Sequence, residues 1–216
     1  MDIPTKNPCG TVKSVLLALL GMLILGAAPT RADVAQELWH TETTGKAERS
    51  LSYSTHVNLR ESRTPATITF YCNTEHTQNS IGTLGFRVEI AHYTALTGFH
   101  FSDFEGPGAP AVAKPLMTIT IKRSSGLPLL FEISPAGFVS SDERSDHPFF
   151  SFVVASPTSE PSAAKEILKA LAENAQSLQI SIMDMRDPLI KLELAVPVTE
   201  KRDEFSRLVG LLDQQR

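Results

Sequence analysis

Residues 67–72 read TITFYC, a stretch in which apolar and polar side chains alternate. Ile68, Phe70 and Cys72 point to one side of an extended chain, and the residues between them point to the other. A period of two is typical of a strand with one face in the core. We therefore expect this stretch to be a strand whose buried face carries Cys72.

The same alternation recurs further along the chain. Strands are predicted at 84–93 (LGFRVEIAHY), 115–123 (PLMTITIKR), 127–133 (LPLLFEI) and 148–155 (PFFSFVVA). Segments rich in Gly, Pro, Ser or charged residues separate these runs, as turn-forming residues do. Strands joined by short turns favour a mainly antiparallel sandwich or a curved sheet over repeated βαβ units.

The period changes after Ala155 and becomes helical. In AKEILKALAENAQ (164–176), one stripe contains Ala164, Ile167, Leu168, Leu171 and Ala175. Two strands, LQISIM (178–183) and LIKLELAV (189–196), follow as a hairpin with Asp187 and Pro188 in its turn. A second helix is predicted in TEKRDEFSRLVGLL (199–212). The predicted fold is β-rich α+β, with two helices in the C-terminal third.

The first 32 residues have the order of a secretory signal peptide. Two lysines precede an apolar run at 15–28, and small residues follow at Thr30 and Ala32. This order predicts cleavage after Ala32. The alternative is an uncleaved membrane anchor, although the run is shorter than the roughly 20 apolar residues that span a bilayer.

The remainder, residues 33–216, has the length of one domain with a sizeable core. The whole chain has a net charge of −4 and the signal segment carries +2, which leaves −6 for the remainder. Its basic residues form no stripe and are not interleaved with aromatic ones, so nucleic acid is not an expected partner. We expect a single periplasmic or secreted domain, soluble after cleavage. The absence of an N-x-Ser/Thr sequon favours the bacterial periplasm.

Cys72 is the only cysteine of the predicted mature chain, because Cys9 lies before the apolar run of the signal. One cysteine cannot form an internal disulfide, so packing must hold the fold together. A nucleophilic cysteine would need a histidine near it in space to lower the pKa of the thiol. His76 follows four residues later, but in a turn beyond the end of the strand. The apolar face of the strand favours a buried structural thiol.

Polar side chains that could bind a metal occur in three places. They are Cys72 with His76; His100, Asp103 and Glu105 in FHFSDFEG; and Asp142, Glu143, Asp146 and His147 in DERSDH. A zinc site needs three or four converging ligands, and no segment supplies a recognised set. We therefore predict no metal and no cofactor, and we keep His100, Asp103 and His147 as weak candidate ligands.

Catalytic signatures such as G-x-S-x-G, H-E-x-x-H and the phosphate-binding G-x-x-x-x-G-K are absent from the sequence. No catalytic residue is predicted. The alternative interpretation is an exported hydrolase or metal-binding protein that uses His92, His100 or the DERSDH segment.

Phe149 and Phe150 are adjacent in a predicted strand and cannot both face the core. One of them is expected in a groove or a second layer. An exposed apolar patch of this kind would indicate a surface for a partner.

The order of these features resembles a group of small bacterial exported proteins, which includes the invasion-associated locus B type and the accessory periplasmic proteins of type VI secretion clusters. The features are Trp39, ITFYC (68–72), AAKEILKAL (163–171), LQISIM (178–183), LIKLELAV (189–196) and FSRLVGLL (205–212). The chain departs from the pattern at its end, LLDQQR, where a second cysteine would be expected, so the disulfide cannot be carried over.

The resemblance implies a non-enzymatic periplasmic accessory or binding protein and brings no catalytic residues. Together with the signal, it predicts a protein that recognises a protein or cell-envelope partner.

Overall fold

The structure of the chain is a computed structural model that describes residues 39–44, 48–74, 82–140 and 148–213. These residues belong to one compact unit. The predicted cleavage after Ala32, the predicted loss of Cys9, and the positions of His76 and His147 lie outside the described residues. Neither helix in the described ranges is long and apolar enough to cross a membrane.

The described residues contain ten strands, two α-helices and four short 3₁₀ helices. The first five strands are β1 (Trp39–Thr44), β2 (Glu48–Leu59), β3 (Ser62–Asn73), β4 (Thr83–Ala91) and β5 (Met117–Arg123). The other five are β6 (Leu129–Ile133), β7 (Ala136–Ser140), β8 (Phe149–Pro157), β9 (Ala175–Met183) and β10 (Lys191–Pro197). The helices are α1 (Ala163–Glu173) and α2 (Arg202–Asp213).

All ten strands belong to one antiparallel sheet with the order β6-β5-β9-β10-β2-β3-β4-β8-β7. Two strands share one edge of β2. β1 pairs with its first half, whereas β10 pairs with it through Glu193 and Asn58. The register places Cys72 of β3 between Arg49 of β2 and Leu84 of β4.

The two strands at opposite ends of this order are consecutive in the chain. Only Ser134 and Pro135 separate β6 from β7. Since every strand pair is antiparallel, the strand order gives β6 and β7 the same direction. Residues 129–140 therefore form one interrupted run that pairs with β5 at one end of the sheet and with β8 at the other. This connection requires the sheet to curl, and the curled sheet has the form of a half-barrel.

The helices cover one face of the curled sheet. α1 contacts β4, β6, β8 and β9, and α2 contacts β2 and β3. Ser162 caps α1, because its side-chain oxygen accepts a hydrogen bond from the Lys165 N–H. The predicted stripe of α1 is buried, and so are Phe205 and Leu208 of α2. Burial of these apolar faces against the sheet is the main stabilising term of the fold.

A second part of the core consists of aromatic rings between β8 and the 3₁₀ helices that follow β4. The rings belong to Tyr93, Phe99, Phe101, Phe104, Phe150 and Phe152. Phe150 is buried, whereas Phe149 is half-buried and lines a shallow groove with Pro65 and Glu89. The two neighbours thus face opposite sides of the sheet, as β geometry requires.

The predicted β-rich α+β class is confirmed, and the curved sheet is the arrangement that forms. Three details of the prediction are wrong. Ala175 begins β9, because α1 ends when Asn174 leaves the helical conformation. β4 ends at Ala91, because His92 adopts a left-handed backbone conformation. The pattern also did not predict β1, β2 or β7.

Candidate functional site

Cys72 lies in the core, with none of its surface exposed. It has no disulfide partner among the described residues. Burial raises the pKa of its thiol to about 11, although the charge of Lys165 acts in the opposite direction. A thiol with this pKa carries little thiolate at neutral pH, and the thiolate is the nucleophile. The surroundings of Cys72 are those of a packing residue.

His100 and Asp184 meet where the loop after β4 contacts the turn between β9 and β10. His100 Nδ1 lies 3.0 Å from Asp184 Oδ2, and the backbone N–H of His100 donates to the same oxygen at 2.7 Å. An ionised carboxylate only accepts, so Nδ1 carries the proton in this hydrogen bond. The His100 side chain is 40% exposed, whereas that of Asp184 is fully buried.

The second oxygen of Asp184 is also occupied. Oδ1 accepts hydrogen bonds from the backbone N–H groups of Arg186 and Asp187, at 2.8 and 3.0 Å. Burial alone would raise the pKa of Asp184, but the hydrogen bonds from His100, Asp187 and Arg186 outweigh it and keep that pKa below its usual range. Asp184 thus stabilises the β9–β10 turn and attaches the His100 loop to it.

Asp103 is paired with Arg186 in the same cluster. The guanidinium donates two hydrogen bonds to the carboxylate, at 2.7 Å from Nε and 2.6 Å from Nη2. The hydrogen bonds from Arg186 make the largest contribution to the pKa of Asp103 and hold it below its usual value. Sequence reasoning missed both Asp184 and Arg186, since neither belongs to a recognisable motif.

The structure therefore brings two of the predicted candidate ligands, His100 and Asp103, into one cluster and gives each a protein partner. In the described ranges, no group of three or more His, Cys, Asp or Glu side chains could hold a metal ion. His92 is exposed at the end of β4, and Glu105 is exposed where it bridges to Gly137. The cluster has the contacts of a structural link between two loops.

A cleft opens where the sheet does not close. β8 pairs with β7 only as far as Val153, which lies opposite Ala136, and β4 is the only described strand that pairs with the rest of β8. The cleft has a volume of about 400 Å³, and we call it the seam. Its lining comprises Ile133, Ser134, Ala136, Val153, Val154, Ala155, Ser156, Ser162, Ala163 and Ala164.

The seam begins at Ile133, the last residue of the edge strand β6. β6 pairs with β5 on one side, and no other described strand pairs with its second side. The seam is also lined by Val154 to Ser156 of β8 and by the start of α1. The hydroxyl groups of Ser156 and Ser162 are hydrogen-bonded at 2.6 Å and join β8 to the helix.

Exposed apolar side chains are concentrated in the chain segment that contains β6 and β7. The described residues contain five exposed large hydrophobic side chains, of which Leu127, Leu130, Phe138 and Val139 belong to one stretch of 13 residues. Leu127 is 80% exposed and Leu130 is 61% exposed. Clustered exposure of this kind marks surfaces that bind partners.

No protein-family model matches the chain, and no curated protein or solved structure matches it. The resemblance to small exported accessory proteins stays a prediction.

Proposed function

We propose that this chain is a non-enzymatic, exported binding protein of the bacterial periplasm that recognises a protein or cell-envelope partner. The observation that carries the proposal is the edge of β6 that pairs with no described strand, together with the exposed side chains of Leu130 in the strand and Leu127 just before it. Edge strands with free backbone groups are usually shielded by charge, by proline or by a covering segment. Glu132 is the only charged residue of this strand.

Strand addition is the binding mode that such an edge supports best. An extended segment can pair its backbone with an exposed edge, and alternate side chains then enter neighbouring pockets. Leu129, Phe131 and Ile133 are partly buried against the core, whereas Leu130 is exposed on the opposite face. A bound segment would therefore meet apolar side chains on both of its faces.

The length of β6 limits the size of the recognised segment. The strand has five residues, and Pro128 and Pro135 lie just beyond its two ends. Proline has no backbone N–H to donate, so strand pairing is limited to the residues between them. We infer a partner segment of similar length in extended conformation.

Peptide selection followed by amide hydrogen exchange tests the proposal. Peptides selected from a displayed random library on the whole protein should slow exchange in β6 and at Val154 to Ser156 of β8. Substitution Leu130→Asp should weaken such a peptide by about tenfold or more, since it removes apolar contact and adds a charge.

Leu189→Asp is the matched control, because Leu189 is 87% exposed in the β9–β10 turn, away from the seam. It should leave peptide affinity unchanged. Selected peptides that protect only other segments, or that bind Leu130→Asp as tightly as the parent protein, would rule out β6 as the recognition edge.

The second candidate function is the exported hydrolase or metal-binding protein, and the His100–Asp184 pair favours it. A histidine held at Nδ1 by a carboxylate is the arrangement found in metal sites and in general bases. Metal analysis of protein purified without a tag tests this candidate. If the protein contains stoichiometric zinc or copper and the His100→Ala variant does not, the metal-binding function would be favoured over strand addition.

A further inference from the structure

A polar groove lies on the sheet face opposite the helices, where β10 meets β2. In the described residues, the two strands pair only through Glu193 and Asn58. β1 pairs with Glu48 to Tyr53 on the same edge of β2. The groove has a volume of about 380 Å³, within the size range of small-molecule sites. It is separate from the seam and from the His100 cluster.

The register brings polar side chains from four strands together. Ser181 of β9 lies opposite both Thr118 of β5 and Glu193 of β10, and Glu193 lies opposite Asn58. In the next row, Gln179 lies opposite Thr120. Side chains opposite each other on one face have Cβ atoms about 5 Å apart, so a single ligand can reach several of them.

These side chains have no partner in the part of the chain that the structure describes. Within the described ranges, none of the six takes part in a side-chain hydrogen bond or an ion pair: Asn58, Thr118, Thr120, Gln179, Ser181 and Glu193. Together they offer three hydroxyl groups, two primary amides and one carboxylate. This set can donate and accept hydrogen bonds in several directions at once.

The chemistry of the lining limits the ligand. Among the described residues that line the groove, none is aromatic and Glu193 alone is charged. A carboxylate repels an anion, and unpaired hydroxyl and amide groups would be left without partners beneath an apolar ligand. A hydroxyl-rich ligand satisfies these groups, and an amino group on it would pair with Glu193.

We infer that this groove is a binding site for a hydroxyl-rich small molecule that carries an amino group, such as an amino sugar or an amino-sugar unit of a glycan. The amino group lies at Glu193, with Asn58 and Ser181 beside it. Ligand hydroxyls bind the Thr118, Thr120 and Gln179 side chains. This site is independent of strand addition at the seam.

Titration of the ¹⁵N-labelled protein with glucosamine, glucose and glucuronate tests the inference. Glucosamine should shift the side-chain NH₂ signals of Asn58 and Gln179 and bind about tenfold more tightly than glucose, because it adds one charged hydrogen bond. Glucuronate should shift neither signal. No peptide is present, so the result does not depend on the seam.

Glu193→Gln should remove the advantage of glucosamine over glucose while keeping the glucose-induced shifts, and Gln179→Ala should weaken both sugars. The control Glu61→Gln changes an exposed carboxylate in the β2–β3 turn and should bind as the parent does. An unperturbed backbone spectrum shows that each variant is folded. Unchanged Asn58 and Gln179 signals with glucosamine, or equal binding of glucosamine and glucuronate, would overturn the inference.

Discussion

The carboxylate of Asp184 accepts hydrogen bonds from both the backbone N–H and the Nδ1 of His100, at 2.7 and 3.0 Å. Asp184 is fully buried, and its other oxygen is bound to two further N–H groups. Asp184→Ala should lower the free energy of unfolding by about 3 kcal/mol, because it leaves several part-buried donors without their acceptor. Urea denaturation measures the loss. A loss of unfolding free energy no larger than that of an ordinary surface substitution would contradict a stabilising role for Asp184.

The depressed pKa values of Asp184 and Asp103 make stability depend on pH. A carboxylate whose folded-state pKa lies below its unfolded value of about 3.9 stabilises the protein above that pH. This contribution is lost as the pH falls through the folded-state pKa. The gap in unfolding free energy between the parent and Asp184→Asn should therefore narrow below about pH 4. Glu173→Gln, at an exposed helix position, should show no comparable change.

Gly137 lets the bent run of residues 129–140 pass close to the aromatic core. A Cβ at this position would lie 2.6 Å from Phe150 and 3.0 Å from the Phe104 Cβ. Gly137→Ala should lower the free energy of unfolding by about 2 kcal/mol through overpacking. Gly210→Ala is the opposite case, since its Cβ would meet no atom within 4 Å in α2. Gly210→Ala should raise the free energy of unfolding by about 0.5 kcal/mol. Thermal unfolding of the two variants should therefore show a lower melting temperature for Gly137→Ala and a higher one for Gly210→Ala.

The buried thiol of Cys72 predicts slow chemical modification. With a pKa near 11 and no exposed surface, Cys72 should react slowly with a thiol reagent in the native protein and rapidly after denaturation. Mass spectrometry of digested protein assigns the label to Cys72. Rapid labelling in the native state would reopen the nucleophile and intermolecular-disulfide interpretations.

The predicted signal peptide implies that the exported protein has a new amino terminus at a defined residue. Cleavage after Ala32 should give a protein that begins at Asp33, because Thr30 and Ala32 supply the small residues that the cleavage site needs. Mass spectrometry of the exported protein measures this directly. An intact amino terminus would instead support the membrane-anchor alternative.

Strict alternation made β3, β5 and β8 predictable from the sequence. The same reasoning placed Cys72 on the face of Ile68 and Phe70, and all three residues are buried. β2 carries the same alternation, with a buried side chain at every second position from Leu51 to Leu59 and Thr55 as the one polar residue among them. The sequence therefore contained a signal for this strand as well. β7 contains Gly137 and the exposed Phe138, so its pattern is not that of a half-buried strand.

The polar cluster could not be predicted, since its contacts join distant segments. His100 and Asp184 are 84 positions apart, and Asp103 and Arg186 are 83 apart. The sequence shows the ligand-type residues but not the partners that occupy them. The seam and the polar groove likewise depend on which strands become neighbours, and local periodicity carries no such information.

The two-residue connection between β6 and β7 has a consequence for local unfolding. Detachment of β6 from β5 frees the chain next to Ser134 and Pro135, and the same chain immediately enters the ladder with β8. The two ends of the sheet should therefore open as one cooperative unit, with similar opening free energies for their amide protons. A ligand that holds β6 closed would thereby also slow the opening of β7, at the far end of the strand order.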